Sequence, residues 1–172
     1  MIRSDKVELR ALEPEDLEYI YKWENDRNLW YISETLVPFS RYTLKRYLEE
    51  YTDDIYATKQ LRLMIVKQED LTPIGFVDLF NFDPYHQRVD LGLLIYNTEN
   101  RGQGYATAAV KLIEDYCSNI LQLHQIHCHI PCSNISSSKI FENLSYHKAG
   151  ILKDWLKRKN LWEDVIIFQK IL

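Results

Sequence analysis

Asn97-Thr98-Glu99-Asn100-Arg101-Gly102-Gln103-Gly104-Tyr105-Ala106-Thr107 stands between an apolar run, Arg88 to Tyr96, and a segment, Gly104 to Leu121, whose apolar residues recur at helical spacing. In such a strand-to-helix setting Gly102 and Gly104 let the backbone turn and come close to an anion. The first amides of the helix have no partner within it, and the helix N-terminus favours negative charge. Arg101 adds a cation, while Ala106 and Thr107 are small enough not to block the approach. The chemical reading is a phosphate-binding loop; the alternative is a glycine-rich turn that holds nothing. No Gly-Lys-Ser/Thr ends the segment, so it is not a Walker loop, and the third small residue of a dinucleotide fingerprint is missing.

Upstream of the loop, Leu61 to Lys67, Pro73 to Phe82 and Arg88 to Tyr96 are rich in β-branched, aliphatic and aromatic residues, and Glu69-Asp70 and Asp83-Pro84 separate them. Three consecutive antiparallel strands are predicted. Nearer the N-terminus, Val7, Leu9 and Ala11 alternate with polar residues, and Pro14 in an acidic turn passes into a helix carrying Leu17, Ile20, Tyr21 and Trp23. A loop follows from Trp30 to Pro38. Ser40 then opens a second helix with Leu44, Tyr47, Leu48 and Tyr51 on one side. Downstream of the loop helix come a short strand, Gln125 to Ile130, a fourth helix, Ser136 to Leu144, and a hairpin made of Tyr146 to Trp155 and Val165 to Ile171. The predicted fold class is α+β, with a mixed, mostly antiparallel sheet of seven strands flanked by four helices.

The 172 residues suit one domain, 1–172, and no linker, repeat or low-complexity tract divides them. At 46% hydrophobic and 27% charged, with no apolar run of about 20 residues, the composition is that of a soluble globular protein and predicts no membrane partner. The first ten residues lack the apolar core of a signal peptide. Three cysteines, Cys117, Cys128 and Cys132, do not make a disulfide framework, so the expected compartment is the cytoplasm. Cys128, His129 and Cys132 lie near His124 and His127, but no second ligand pair is spaced for zinc, and no metal is expected. A net charge of -4 disfavours nucleic acid and is compatible with a cationic substrate. The aromatic content leaves room for a homo-oligomer.

Arg101, Gly104 and Ala106 match the Arg/Gln-x-x-Gly-x-Gly/Ala motif of the GNAT superfamily of N-acetyltransferases, which the chain resembles over nearly its whole length in strand order. Asn134 after the fifth predicted strand, and Ile140-Phe141-Glu142-Asn143-Leu144-Ser145-Tyr146, extend the match. Leu9-Arg10-Ala11-Leu12-Glu13-Pro14-Glu15-Asp16 resembles the start of the bacterial spermidine and ribosomal-protein N-acetyltransferases, and Gly75 to Asp90 is similar to the spermidine enzymes. The resemblance implies acetyl-CoA as co-substrate. It implies that the backbone of Leu93, Leu94 and Ile95 pairs with the pantetheine arm and that amides among Gly102, Gln103, Gly104, Tyr105, Ala106 and Thr107 hold the pyrophosphate. It adds Asn134, Lys139 and Phe141 to the cofactor site.

Acetyl transfer from a thioester to an amine needs a neutral amine, a donor for the oxyanion and an acid for the departing thiolate. By resemblance the oxyanion donor is an amide near Leu93, and the acid is a Tyr at the position that Phe141 fills here. Three explanations stay open: a hydroxyl from Tyr146 or Tyr105, a thiolate protonated by solvent, or lost turnover. Asp90 and Asp78 stand where the spermidine enzymes carry Glu, and either can attract a cationic amine and accept its proton; either can equally be a solvated strand-end residue. Glu34 is a further carboxylate, and Trp30, with Phe39 and Tyr42, can line an acceptor pocket. The histidines show no spacing that assigns one to catalysis. The sequence therefore points to N-acetylation of a primary amine, foremost a small cationic polyamine such as spermidine. Acetylation of a protein N-terminus, or acyl-CoA binding without turnover, are the alternatives.

Overall fold

The computed structural model describes residues 2–33, 35–52 and 54–172. The alternation at the N-terminus makes β2 (Val7–Arg10), with Val7 and Leu9 buried, and a two-residue β1 (Ile2–Arg3) pairs back on it through Ile2 and Leu9. Pro14–Asp16 forms a single 3-10 turn into α1 (Leu17–Glu24). Asp16 is buried there, accepting from the Glu13 amide and from both ends of the Arg10 guanidinium at 2.7 Å. Then come α2 (Trp30–Ser33), α3 (Arg41–Glu50), capped by Ser40, and α4 (Ile55–Thr58), capped by Asp54. The central meander is β3 (Leu61–Lys67), β4 (Pro73–Asp83) and β5 (Arg88–Ile95). It leads into α5 (Tyr105–Asn119), β6 (Gln125–Pro131), α6 (Ile135–Asn143), β7 (His147–Arg158) and β8 (Leu161–Ile171).

One mixed sheet results, in the order β1-β2-β3-β4-β5-β6-β8-β7, and every neighbouring pair is antiparallel except β5 and β6. It has eight strands where seven were predicted, because β1 is too short to show a periodicity. The four predicted helices are joined by α2 and α4, each a single turn. α2 falls within the stretch expected to be a loop.

The two faces of the sheet are buried by different helices. On one, Val77 and Leu79 of β4, Val89 and Leu91 of β5, Ile126 and Cys128 of β6, and Phe168 of β8 pack under α5 and α6. On the other, Met64, Val66 and Phe76 pack under Ile20 and Trp23 of α1 and Leu44 of α3. Alternation along β5 sends Val89, Leu91 and Leu93 to the first face and Asp90 and Leu94 to the second.

The parallel pair is incomplete. β5 and β6 meet only from Arg88 opposite Gln125 to Asp90 opposite His127. Beyond that point β5 stays bound to β4 as far as Ile95, and β6 stays bound to β8 as far as Pro131. Each strand has already committed one edge to its antiparallel neighbour, so the two part and leave a wedge-shaped notch. Its vertex is Asp90 and His127, and its mouth lies where β5 runs through residues 97–104 into α5.

Candidate active site

The loop at the mouth has the backbone its sequence demands. Gly102 and Gly104 take φ of +75° and +85°, values that an L side chain adopts only with strain. Gly104 is the N-cap of α5 and offers no side-chain cap. The first amide bonded within the helix is that of Ala108, to Gly104 O at 3.0 Å, so the amides before it are aimed out of the helix N-terminus. A Cβ at Gly102 would meet nothing within 4 Å, so this side of the loop is open to an approaching anion.

Arg101 does something other than project toward that open side. Its Nε and Nη2 donate to Ile95 O and Tyr96 O, both at 3.1 Å, and so clamp the loop onto the end of β5. The exposed cation beside the glycines is Lys6, whose Nζ donates to Gln103 O at 2.9 Å and lies 3.3 Å from where a Gly104 Cβ would stand. Sequence reasoning missed Lys6. It precedes the loop by 97 residues, and the packing of α5 against β1 and β2 brings the two together.

Along the notch, Leu93, Leu94 and Ile95 do not act as a run of three. Tyr96 N donates to Ile74 O at 2.9 Å, and Leu94 O faces Gly75 so closely that a Cβ there would lie 1.8 Å from it. Leu94 therefore turns its backbone to β4, and alternation turns the amide and carbonyl of Leu93 and the amide of Ile95 into the notch, the Ile95 carbonyl being held by Arg101. Across the notch, Asn134 caps α6, with Oδ1 accepting from the Ser137 amide at 3.2 Å, which leaves its Nδ2 as a donor. Lys139 is exposed on α6.

Phe141, expected beside the cofactor, is a core residue. It is 4% exposed, edge-on to Tyr146 at 4.9 Å and 6.4 Å from Phe168. Helical spacing lays it on the same face as Leu144, under the sheet. Tyr146 is equally buried, and loss of hydration, with Glu114 nearby, pushes its hydroxyl far above the ordinary phenol range. It is a poor source of a proton for a thiolate. Tyr105 is half-buried at the start of α5.

The acceptor-side residues divide. Both oxygens of Asp78 are taken by Arg62, at 2.6 and 2.9 Å, and Arg62 Nη1 also reaches Glu24 at 2.5 Å. The charge of Asp78 is thus spent inside the protein. Burial lowers the pKa of Arg62, but Asp78 and Glu24 outweigh it and hold the guanidinium well above its usual value. Trp30 is half-buried and donates its indole N–H to Glu24 O at 2.9 Å. Glu34 lies outside the described residues.

Asp90 stays at the centre of the site. It is 4% exposed; Oδ2 accepts from Asn81 Nδ2 at 2.8 Å, and Oδ1 lies 2.6 Å from His127 Nδ1. Burial pushes its carboxyl up, but His127 and Asn81, with His129 farther off, more than offset this and hold it below the usual range. A carboxylate so stabilised is a weak base. Asn81 reaches it because β4 carries an irregularity between Phe80 and Asp83, where Asn81 takes φ of +52°. Neither Asn81 nor His127 was foreseen. The alternation Gln125, His127, His129 against Ile126, Cys128, Ile130 was legible as a strand with one polar face, but only the parallel register sets His127 beside Asp90.

Asp90, His127 and His129 each present a ligand atom within 4.8 Å of the others. Two ligands of one tetrahedral ion, each about 2.1 Å from it, stand about 3.4 Å apart. The 2.6 Å between Asp90 Oδ1 and His127 Nδ1 is shorter than that ligand spacing. Cys128 points to the opposite, buried face, where loss of hydration raises its thiol pKa, so it cannot join them.

Fold and notch together define an acyltransferase whose donor is acetyl-CoA. Residues 6–147 match the acetyltransferase (GNAT) domain family, and the chain belongs to that family. Spermidine N(1)-acetyltransferase of Vibrio cholerae is 27% identical to it over 165 residues, 94% of this chain and 91% of that protein. The probable N-acetyltransferase YjcK of Bacillus subtilis is 25% identical over 169 residues, 95% and 93% of the two chains. Among solved structures, the spermidine N-acetyltransferase of Vibrio cholerae in complex with CoA and spermine superposes with a TM-score of 0.85 at 24% identity, covering 98% of this chain and 96% of that one. That likeness establishes the fold. No helix among the described residues is long and apolar enough to cross a membrane.

Proposed function

We propose that residues 1–172 form one domain that transfers the acetyl group of acetyl-CoA directly to a primary amine of a small cationic polyamine such as spermidine. The observation that carries this reading is the notch itself. It offers strand-edge groups of Leu93 and Ile95 to an extended pantetheine arm, an open N-terminus of α5 to the pyrophosphate, and a buried carboxylate, Asp90, at its closed end. In this reading the Leu93 amide meets the oxyanion, the amides between Gly102 and Thr107 hold the pyrophosphate with Lys6 beside them, and Asn134 Nδ2 bonds the pantetheine. With Phe141 and Tyr146 in the core, the thiolate takes its proton from solvent. A general acid contributes about 10²–10⁴-fold of an acceleration that is far larger in total, so transfer survives without one.

The polyamine rests on two supports: the activity of the Vibrio cholerae spermidine N(1)-acetyltransferase and the net charge of -4. Three free cysteines, two of them buried, fit a reducing cytoplasm. Exposed Ile151, Trp155, Leu161 and Trp162 on the β7–β8 hairpin favour self-association, which light scattering would detect. The acceptor is tested by thiol release from acetyl-CoA with spermidine, spermine, aminoglycosides and N-terminal peptides. The highest kcat/KM is expected with a polyamine; turnover confined to the peptides would move the assignment to protein N-termini.

A further inference from the structure

A carboxylate placed inside a sheet sacrifices hydration, and a non-glycine residue at positive φ adds backbone strain. Both costs meet at one point of this molecule. Asp90 is buried between β4 and β6, and Asn81, at φ +52° on the irregular stretch of β4, donates to its Oδ2. Among the described residues Oδ1 accepts no aligned hydrogen bond; its close charged contact is the imidazole of His127, whose Nδ1 lies 2.6 Å away. Packing does not require this arrangement: Val89 and Leu91, the neighbours of Asp90 in sequence, fill the opposite core with apolar side chains. Local rules broken at such cost mark functional positions.

The geometry fixes what the arrangement can do. A negatively charged carboxylate oxygen 2.6 Å from Nδ1 repels a lone pair there and favours hydrogen on that nitrogen, so in neutral His127 the lone pair falls on Nε2. The carboxylate side chain is 5% exposed and the imidazole 25%, so the ring is held from behind and open in front. It stands at the last rung before β5 and β6 separate, at the closed end of the notch. His129, two residues on and on the same face, lines the opening with its ring at 85° to that of His127 and 6.0 Å away. The opposing residue of β8 is the uncharged Gln169.

We propose that His127 is the general base of the acetyl transfer, accepting the amine proton on Nε2 directly or across one water, and that Asp90 and Asn81 are positioning residues that fix its tautomer. The inference rests on the amine-acetylation reading above. As the N–C bond forms at the thioester carbonyl and the C–S bond breaks, one proton passes from the amine to Nε2 and solvent protonates the departing thiolate. The carboxyl of Asp90 is not itself the base; it keeps its negative charge and stabilises the imidazolium.

The test uses the full chain with acetyl-CoA and spermidine. His127→Ala is expected to lower kcat by about a hundredfold or more, leave the Kd for acetyl-CoA within about threefold, and regain at least about tenfold when free imidazole is added. Asp90→Asn is expected to lower kcat by at least about tenfold, and imidazole ¹⁵N spectra should show His127 leaving the Nδ1–H tautomer, a signature that a merely structural aspartate would not produce. Three results would overturn the proposal: kcat of His127→Ala and His127→Gln within about threefold of wild type, a loss that imidazole leaves untouched, or wild-type activity abolished by EDTA and restored by zinc. Wild-type protein that turns over no amine would remove the amine-acetylation reading and the inference with it, whereas turnover indifferent to His127 removes the inference alone.

Discussion

Replacing Arg62 with methionine separates two roles for Asp78. The guanidinium holds Asp78 at 2.6 and 2.9 Å and Glu24 at 2.5 Å, and it lies 4.1 Å from the Phe76 ring centroid. It therefore ties β3 to β4 and to the end of α1. Methionine keeps the aliphatic stem over Phe76 but leaves two carboxylates, with side chains 24% and 13% exposed, and no cation between them. Breaking a buried ion pair costs about 3–5 kcal/mol, and partial exposure moves the expectation to about 3 kcal/mol. For a domain of this size each kcal/mol lowers Tm by about 2–4 °C, so Arg62→Met should melt about 6–12 °C early in calorimetry at neutral pH. Adding Asp78→Asn and Glu24→Gln should restore most of the loss, because the uncompensated charge is then gone. Asp78→Asn alone should lower Tm while changing the KM for spermidine by less than about threefold. A Tm for Arg62→Met within about 2 °C of wild type would refute the network. A large KM effect of Asp78→Asn at unchanged Tm would return Asp78 to the acceptor site.

Gly75→Ala places a Cβ 1.8 Å from Leu94 O, a contact that only a backbone shift relieves; a loss of about 1–3 kcal/mol or more in the unfolding free energy from urea titration is expected, with damage to the adjoining notch edge. Gly104→Ala forces an L residue to φ +85° against Lys6 and should raise the KM for acetyl-CoA by about tenfold, with a smaller effect on stability of about 1–2 kcal/mol. Lys6→Met should weaken acetyl-CoA about threefold at low salt and much less at high salt, since Lys6 is exposed and screened. Asp90 has a lowered pKa in the folded chain, so its charge stabilises the fold above the unfolded value of about 3.9 and that contribution fades as pH falls through the lower folded value. The stability gap between wild type and Asp90→Asn should narrow below about pH 4 in urea titrations.

What the sequence made legible is what local chemistry alone determines. Leu61–Lys67 is a strand with the bounds its composition predicts, and α5 and α6 begin within one residue of where their apolar spacing and small polar residues place them. The loop was readable because two glycines, a small-residue helix start and a preceding apolar strand lie within about twenty residues. β1, α2 and α4 were not, since elements of two to four residues carry no period. The site's remaining members depend on long-range geometry. Lys6 meets Gln103 only after β2 and α5 pack together, and His127 meets Asp90 only through a parallel pairing whose register no sequence pattern specifies. Asp78 and Phe141 were identifiable as positions but not as environments: one faces a guanidinium two strands from the notch, and the other points down into the core.

The most direct test is to follow the label from acetyl-CoA carrying a radioactive acetyl group, incubated with the full chain and spermidine, into separated products. Label recovered in N-acetylated polyamine, in step with the thiol released, is the predicted result. Label recovered as free acetate, or retained on acetyl-CoA bound to the protein, would contradict direct transfer to an amine.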